Sequence, residues 1–326
     1  MKSVQILTLA AAASAVPMTK RQGGSTQFVV GQNYLDEWKS FESGVKTPGG
    51  VSLYGDIWTG ALNPESQELL ADYAGSHDGF AEIGLSWKDN MVAQGYSQYD
   101  GAKLCNDISG GKFDDKLEAF ATYLAGFPNV KFLIRPDYEV SGNLHANTNP
   151  SQFDQATWDY EAYPAAFKHI RSIVGGKVSN AQFMYHPVRG SAKALYPGDD
   201  AVDYQGFSIF NNDICLPVGN TANCDGDVLD PNIIIDIEFA TKPKWVAESG
   251  VQPPASDSPD TAITYFERIV GMIEKYDFAG WSYINSDWTA HGWDGSVWSD
   301  SRVETNPPLL EWFNTNVAGN PRYIFA

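Results

Sequence analysis

Eight short apolar runs recur along this 326-residue chain, each closed by polar or turn-forming residues and followed by a segment of helical pattern. They are QFVVG (27–31), VSLYG (51–55), FAEIGLSW (80–87), KFLIRP (131–136), AQFMYHP (181–187), VDYQGFSIF (202–210), KPKWVAES (242–249) and FAGWSYIN (278–285). Between them lie amphipathic stretches such as NPESQELLADYAG, where Asn63 is placed to cap and Pro64 to open the first turn, and DSPDTAITYFERIVGMIEKY. Strands that alternate with helices build a parallel sheet, and eight such units in about 300 residues close into a barrel. The expected fold class is therefore α/β, a single (β/α)8 TIM barrel. An open doubly wound sheet would need a glycine-rich turn after its first strand, and GQNYL does not supply one. With 43% hydrophobic and 13% aromatic residues the chain can fill one large core, and no linker or internal repeat divides it.

The first 21 residues read differently. Lys2, the apolar run from Val4 to Ala13 and the small triplet Ala13-Ser14-Ala15 form a secretory signal peptide with cleavage expected before Val16. Lys20-Arg21 resembles a dibasic processing site, so residues 1–21 are expected to be signal peptide and propeptide, and residues 22–326 the barrel. No later segment is apolar for long enough to span a bilayer, and the expected location is extracellular. Loss of Lys2, Lys20 and Arg21 takes the formal charge from −18 to −21. That field disfavours nucleic acids and anionic membranes as partners, and a monomer is expected. In an oxidising compartment three cysteines predict one disulfide, Cys215 with Cys224 across LPVGNTAN, and one remaining thiol, Cys105. His186 and His291 stand apart from other ligand-type residues, so neither a metal nor another cofactor is expected.

Barrel enzymes place their chemistry where strands end, and two strand ends here carry glutamate. The fourth run passes without a break into Arg135, Asp137 and Glu139; the seventh delivers Glu248 before Gly250. Strands four and seven face each other across an eight-stranded barrel, so both carboxylates project into one mouth. Two carboxylates across a cleft suit glycosidic cleavage, one protonating the leaving oxygen and the other attacking the anomeric carbon or activating water. Arg135 would keep one of them ionised. Aromatic residues crowd the same end: Trp58, Trp87, and Trp281, Trp288, Trp293 and Trp298 of the last unit. Indoles stack on the C–H faces of sugars; Trp288 and Trp293 lie in a polar loop and suit that task, whereas Trp245 and Trp281 suit packing.

Three stretches resemble family 26 of the clan-A glycoside hydrolases, which includes β-mannanases. RPDYEVSG matches the family's R-x-x-H-E-x-x-G with Arg135, Glu139 and Gly142 in register; YPGDDAVDYQG (196–206) matches its entry into the sixth strand; KPKWVAESG (242–250) matches its nucleophile stretch. The resemblance implies Glu139 as acid/base, Glu248 as nucleophile and a retaining mechanism. The strand ends and the aromatic placement lead us to expect Arg135, Asp137, Tyr138, Asn143, His186, Trp58, Trp87, Tyr283, Trp288 and Trp293 about the substrate. Three positions depart from the pattern. Tyr138 stands where the family has His, the tryptophan expected soon after Glu139 is missing, and Phe210 stands where a tyrosine usually supports the nucleophile. Tyr283, Asn211 or another loop would then supply that support. The expected activity is a secreted endo-β-glycosidase acting on a cell-wall polysaccharide, β-1,4-mannan by resemblance. Another glycan, or a barrel that binds sugar without cleaving it, is the alternative.

Overall fold

The computed structural model of the protein describes residues 24–31, 34–87, 90–97, 100–140, 162–188, 193, 195–214 and 229–326. All eight apolar runs form strands: β1 (Thr26–Gly31), β2 (Gly50–Asp56), β3 (Phe80–Ser86), β4 (Lys131–Pro136), β5 (Ala181–Tyr185), β6 (Tyr204–Ile209), β7 (Lys244–Ser249) and β8 (Gly280–Ile284). Each pairs in parallel with the next, and β1 pairs with both β8 and β2, which closes the barrel. Helices α1 (Leu35–Gly44), α2 (Pro64–Ser76), α3 (Gly101–Ser109), α4 (Asp114–Ala125), α5 (Ala162–Lys177), α6 (Pro231–Phe239), α7 (Pro259–Tyr276) and α8 (Pro307–Phe313) lie between and after them. The alternation is not uniform. Two helices follow β3, and none is found between β5 and β6 among the described residues. At the start of α2, Pro64 occupies the first turn as expected, but the Asn63 side chain makes no capping bond.

Alternation along each strand sorts the core into two layers. Phe28, Val30, Leu53, Ile83, Phe132, Ile134, Phe183, Phe207, Val246, Trp281 and Tyr283 pack outward with the helices in one large cluster. Val29, Phe80, Leu133, Met184, Tyr204, Trp245 and Ala247 form a second cluster inside the barrel, its floor. Trp245 is stacked on Phe80 (centroids 5.1 Å apart, planes at 17°), and there is room for the indole because residue 280 is Gly: a β-carbon there would lie 2.3 Å from the ring. The packing roles expected of Trp245 and Trp281 agree with this placement.

Inward positions above the floor are polar: Glu82 on β3, Arg135 on β4 and Ser282 on β8, all buried. The strand β7 departs from strict alternation. Phe207 pairs with Val246 but Ser208 pairs with Glu248, so Ala247 is the extra residue of a bulge. Trp245 and Ala247 both point inward, and plain alternation would turn Glu248 out toward the helices. The bulge turns it into the barrel instead, a common use of bulges beside functional sites.

Candidate active site

Two strand ends and a left-handed turn deliver the carboxylates. Glu248 is the penultimate residue of β7 and 7% exposed. Glu139 follows β4 in the turn 137–140, where Asp137 (φ 49°) and Glu139 (φ 52°) both adopt left-handed backbone that side chains rarely occupy. Such strain persists only where its surroundings hold it, and it clusters at functional sites.

A hydrogen-bonded chain joins the two glutamates. Ser208 Oγ donates to Glu139 Oε1 at 2.5 Å and lies 3.0 Å from His186 Nε2; His186 Nδ1 lies 3.1 Å from Arg135 Nη1, which donates to Glu248 Oε1 at 2.7 Å. A guanidinium only donates, so His186 Nδ1 accepts, and the ring proton is on Nε2, directed at Ser208. His186 is thereby held neutral in one tautomer, and every donor in the chain points toward a carboxylate. Glu248 Oε1 receives a second hydrogen bond, from the Tyr54 hydroxyl on β2 at 3.0 Å. Both donors converge on the same oxygen.

Arg135 is completely enclosed. Its Nε contacts Glu82 Oε1 at 2.9 Å, and its guanidinium carbon lies 5.5 Å from the Tyr54 ring centroid and 5.1 Å from that of Tyr138. Burial works against its charge, but Glu82 and Glu248 together hold it well above the ordinary arginine range. Burial likewise raises the Tyr54 hydroxyl, reinforced by the neighbouring Glu248 charge, so the phenol stays protonated and acts as a donor. Burial pushes the Glu82 carboxyl up to about 7, against the pull of Arg135 and of Ser282. Tyr54 and Tyr138 meet edge to face at 5.3 Å, and residue 84 between them must be Gly, since a β-carbon would lie 2.8 Å from one ring and 2.9 Å from the other.

The residues singled out from sequence divide into two groups. Arg135, Tyr138, Glu139, His186 and Glu248 come together as just described. Arg135 is enclosed and reaches the carboxylates rather than the open cleft. Asp137, Trp87 and Tyr283 are corrections: all three are buried and packed against protein rather than open to the cleft. Asp137 accepts from the backbone N–H of Trp87, Trp87 packs on Tyr163 at 5.7 Å, and Tyr283, at an outward position of β8, donates to the Ser301 carbonyl at 2.5 Å. The support expected from Tyr283 or Asn211 comes from Tyr54, while Asn211 bonds the Gln252 backbone. Trp58 is half-buried against Phe113 and Tyr96. Trp288 is also largely buried at 4% exposure, beneath Trp293 at 50%; with Trp298 they form one cluster, and Trp298 meets Phe210 edge to face at 5.5 Å. Asn143, Cys215, Cys224 and residues 1–21 lie outside the described residues.

Tyr54, Glu82 and Ser208 were missed. Glu82 carries a legible signal, a lone charge at an inward position of an otherwise apolar strand. Tyr54 and Ser208 carry none, because either would serve as ordinary core or turn residues. Among the described residues no cluster of histidine, cysteine and carboxylate groups could hold a metal ion, and no helix is long and apolar enough to cross a membrane.

No protein-family model matches the chain. A β-1,3-xylanase of a Vibrio species is 23% identical over 321 residues, 90% of this chain; the chain spans 65% of that protein's length. Three solved structures each align over 93% of this chain. A modular endo-β-1,4-mannanase of Cellulomonas fimi, described among family 26 glycoside hydrolases, is 18% identical with a TM-score of 0.58 over 72% of its own length. GH26C from a Muricauda species is 16% identical with a TM-score of 0.62 over 88% of its length. A β-mannanase from a symbiotic protist of the termite Reticulitermes speratus, complexed with gluco-manno-oligosaccharide, is 17% identical with a TM-score of 0.54 over 89% of its length. This chain shares its (β/α)8 barrel fold with these structures, family 26 glycoside hydrolases among them.

Proposed function

We propose that this protein is a secreted, retaining endo-β-glycosidase that cleaves a cell-wall polysaccharide by double displacement. The observation that carries the reading is the chain Glu139–Ser208–His186–Arg135–Glu248, which holds two carboxylates of the barrel mouth in one hydrogen-bonded frame. A barrel that only binds sugar has no use for such a frame.

Arg135 and Tyr54 occupy Glu248 Oε1, so Oε2 attacks the anomeric carbon as the glycosidic C–O bond breaks. Glu139 accepts from Ser208 through Oε1, so its proton is carried on Oε2 and passes to the leaving oxygen. The products of this step are the departing alcohol and a glycosyl ester on Glu248. Glu139, now ionised, takes a proton from water, whose oxygen attacks the same carbon and releases Glu248; two inversions give net retention. Arg135 and Tyr54 stabilise the Glu248 charge each time the ester forms and breaks. The exposed face of Trp293, backed by Trp288 and Trp298, offers an apolar platform to a sugar ring.

The likeness to mannanase structures supports β-1,4-mannan as substrate. The Vibrio relative supports a second reading, β-1,3-xylan. Reducing-sugar release from both polymers by the wild type and by Glu248→Ala tests the reaction, and NMR of the first-formed anomer tests retention. Release that survives Glu248→Ala refutes the mechanism. A wild type that binds these polymers but cleaves neither is a binding protein.

A further inference from the structure

Glu82 touches neither substrate nor the reacting oxygens. It lies on β3 one layer below the mouth and is fully enclosed. Its Oε1 contacts Arg135 Nε at 2.9 Å, and its Oε2 accepts from Ser282 Oγ, which itself accepts from Trp245 Nε1 at 2.9 Å. Trp245 is in turn clamped on Phe80 in the floor. One carboxylate oxygen is thus tied to the floor through Ser282, and the other is in ion-pair contact with the guanidinium, whose Nη1 lies 2.7 Å from Glu248 Oε1.

Among the described residues the charges do not balance. Two carboxylates, Glu82 from β3 and Glu248 from β7, face one guanidinium, Arg135 from β4, and Tyr54 from β2 adds a neutral donor. One excess negative charge in a dry interior is costly, so a proton is retained by the carboxylate with the least access to water. Glu248 has two donors and an opening to the mouth, whereas Glu82 has no exposure at all.

We propose that Glu82 is a positioning residue for Glu248: it anchors Arg135 to the barrel floor, and by releasing or taking up a proton it changes the share of the guanidinium charge that Glu248 receives. With Glu82 protonated, Arg135 serves Glu248 alone. Once Glu82 ionises, the guanidinium charge is divided between the two carboxylates. The change falls near neutral pH, since the Glu82 carboxyl is raised by burial to about 7. The consequence for catalysis rests on Glu248 being the nucleophile, whereas the electrostatic coupling itself does not.

The test is a carboxyl NMR titration of the full chain labelled with 13C-glutamate, the Glu248 resonance being identified by its loss in Glu248→Gln. The wild-type resonance is expected to show, besides its own titration, a separate step near the Glu82 value of about 7. That step is lost in Glu82→Gln, and it moves to higher pH in Ser282→Ala, which removes a donor to the charged carboxylate and serves as the second variant if Glu82→Gln does not fold. A wild-type Glu248 resonance without a neutral step, or a step that persists unshifted in the folded variant, overturns the proposal. Hydrolysis of β-1,3-xylan and β-1,4-mannan adds a kinetic readout. The rate ratio of Glu82→Gln to wild type changes across the same interval, whereas a merely structural role gives a ratio independent of pH and overturns the tuning of Glu248. If neither polymer is cleaved, the hydrolase reading fails while the titration still decides the coupling.

Discussion

Replacing Tyr54 by Phe removes a single hydroxyl from the frame around Glu248 and leaves the ring in place against Arg135 and Tyr138. The lost interaction is a buried hydrogen bond to a carboxylate, a class worth about 1.5 to 3 kcal/mol. Arg135 continues to donate to the same oxygen, so the lower half of that range applies. A loss of about 1.5 to 2 kcal/mol corresponds to a fall in rate of roughly ten- to thirtyfold. Its distribution between steps is informative. In the first step Glu248 surrenders its charge, and a less stabilised carboxylate attacks at least as well. In the second step Glu248 departs as a carboxylate and needs the missing donor. Breakdown of the glycosyl-enzyme should therefore become limiting, with kcat and KM falling together and kcat/KM changing less. The assay is steady-state hydrolysis of whichever polymer the wild type cleaves, with intact-protein mass spectrometry to detect the accumulated ester. A Tyr54→Phe enzyme within about twofold of wild type in kcat would refute the role given to the hydroxyl. A loss confined to kcat/KM with no trapped ester would refute the assignment to the second step.

Two further outcomes follow from the same geometry. Glu82 has an ordinary carboxyl value of 4.5 and is raised to about 7, so between those values the folded state holds a proton that the unfolded chain releases. The contribution of Glu82 to stability is therefore full below the lower value and is lost as pH rises through the window, on the order of 3 kcal/mol. Urea unfolding across that window should show this slope in the wild type and lose it in Glu82→Gln, and equal slopes would contradict it. Trp293→Ala should raise KM about three- to tenfold with kcat unchanged, as expected for the loss of one stacked ring from an exposed platform; an unchanged KM would remove Trp293 from the substrate path.

Local pattern was enough to specify the barrel. Strand and helix periods are short-range properties, so all eight runs, their order and the strand ends bearing Glu139 and Glu248 could be read directly from residues. The tyrosines and tryptophans were harder. Whether an aromatic residue at a strand end faces sugar or core depends on which side of the pleat it occupies, and Trp87 and Tyr283 turned out to be on the helix side.

The sequence by itself determined that this chain closes a parallel barrel and brings two glutamates to one end of it. Only the tertiary structure decided how they are held. Tyr54 reaches Glu248 from a residue 194 positions away, Glu82 meets Ser282 across 200 positions, and a bulge at Ala247 turns Glu248 inward against the period of its own strand. Each of these depends on barrel closure and on register between strands distant in the chain, and a hydrogen bond between such strands leaves no trace in the local order of residues.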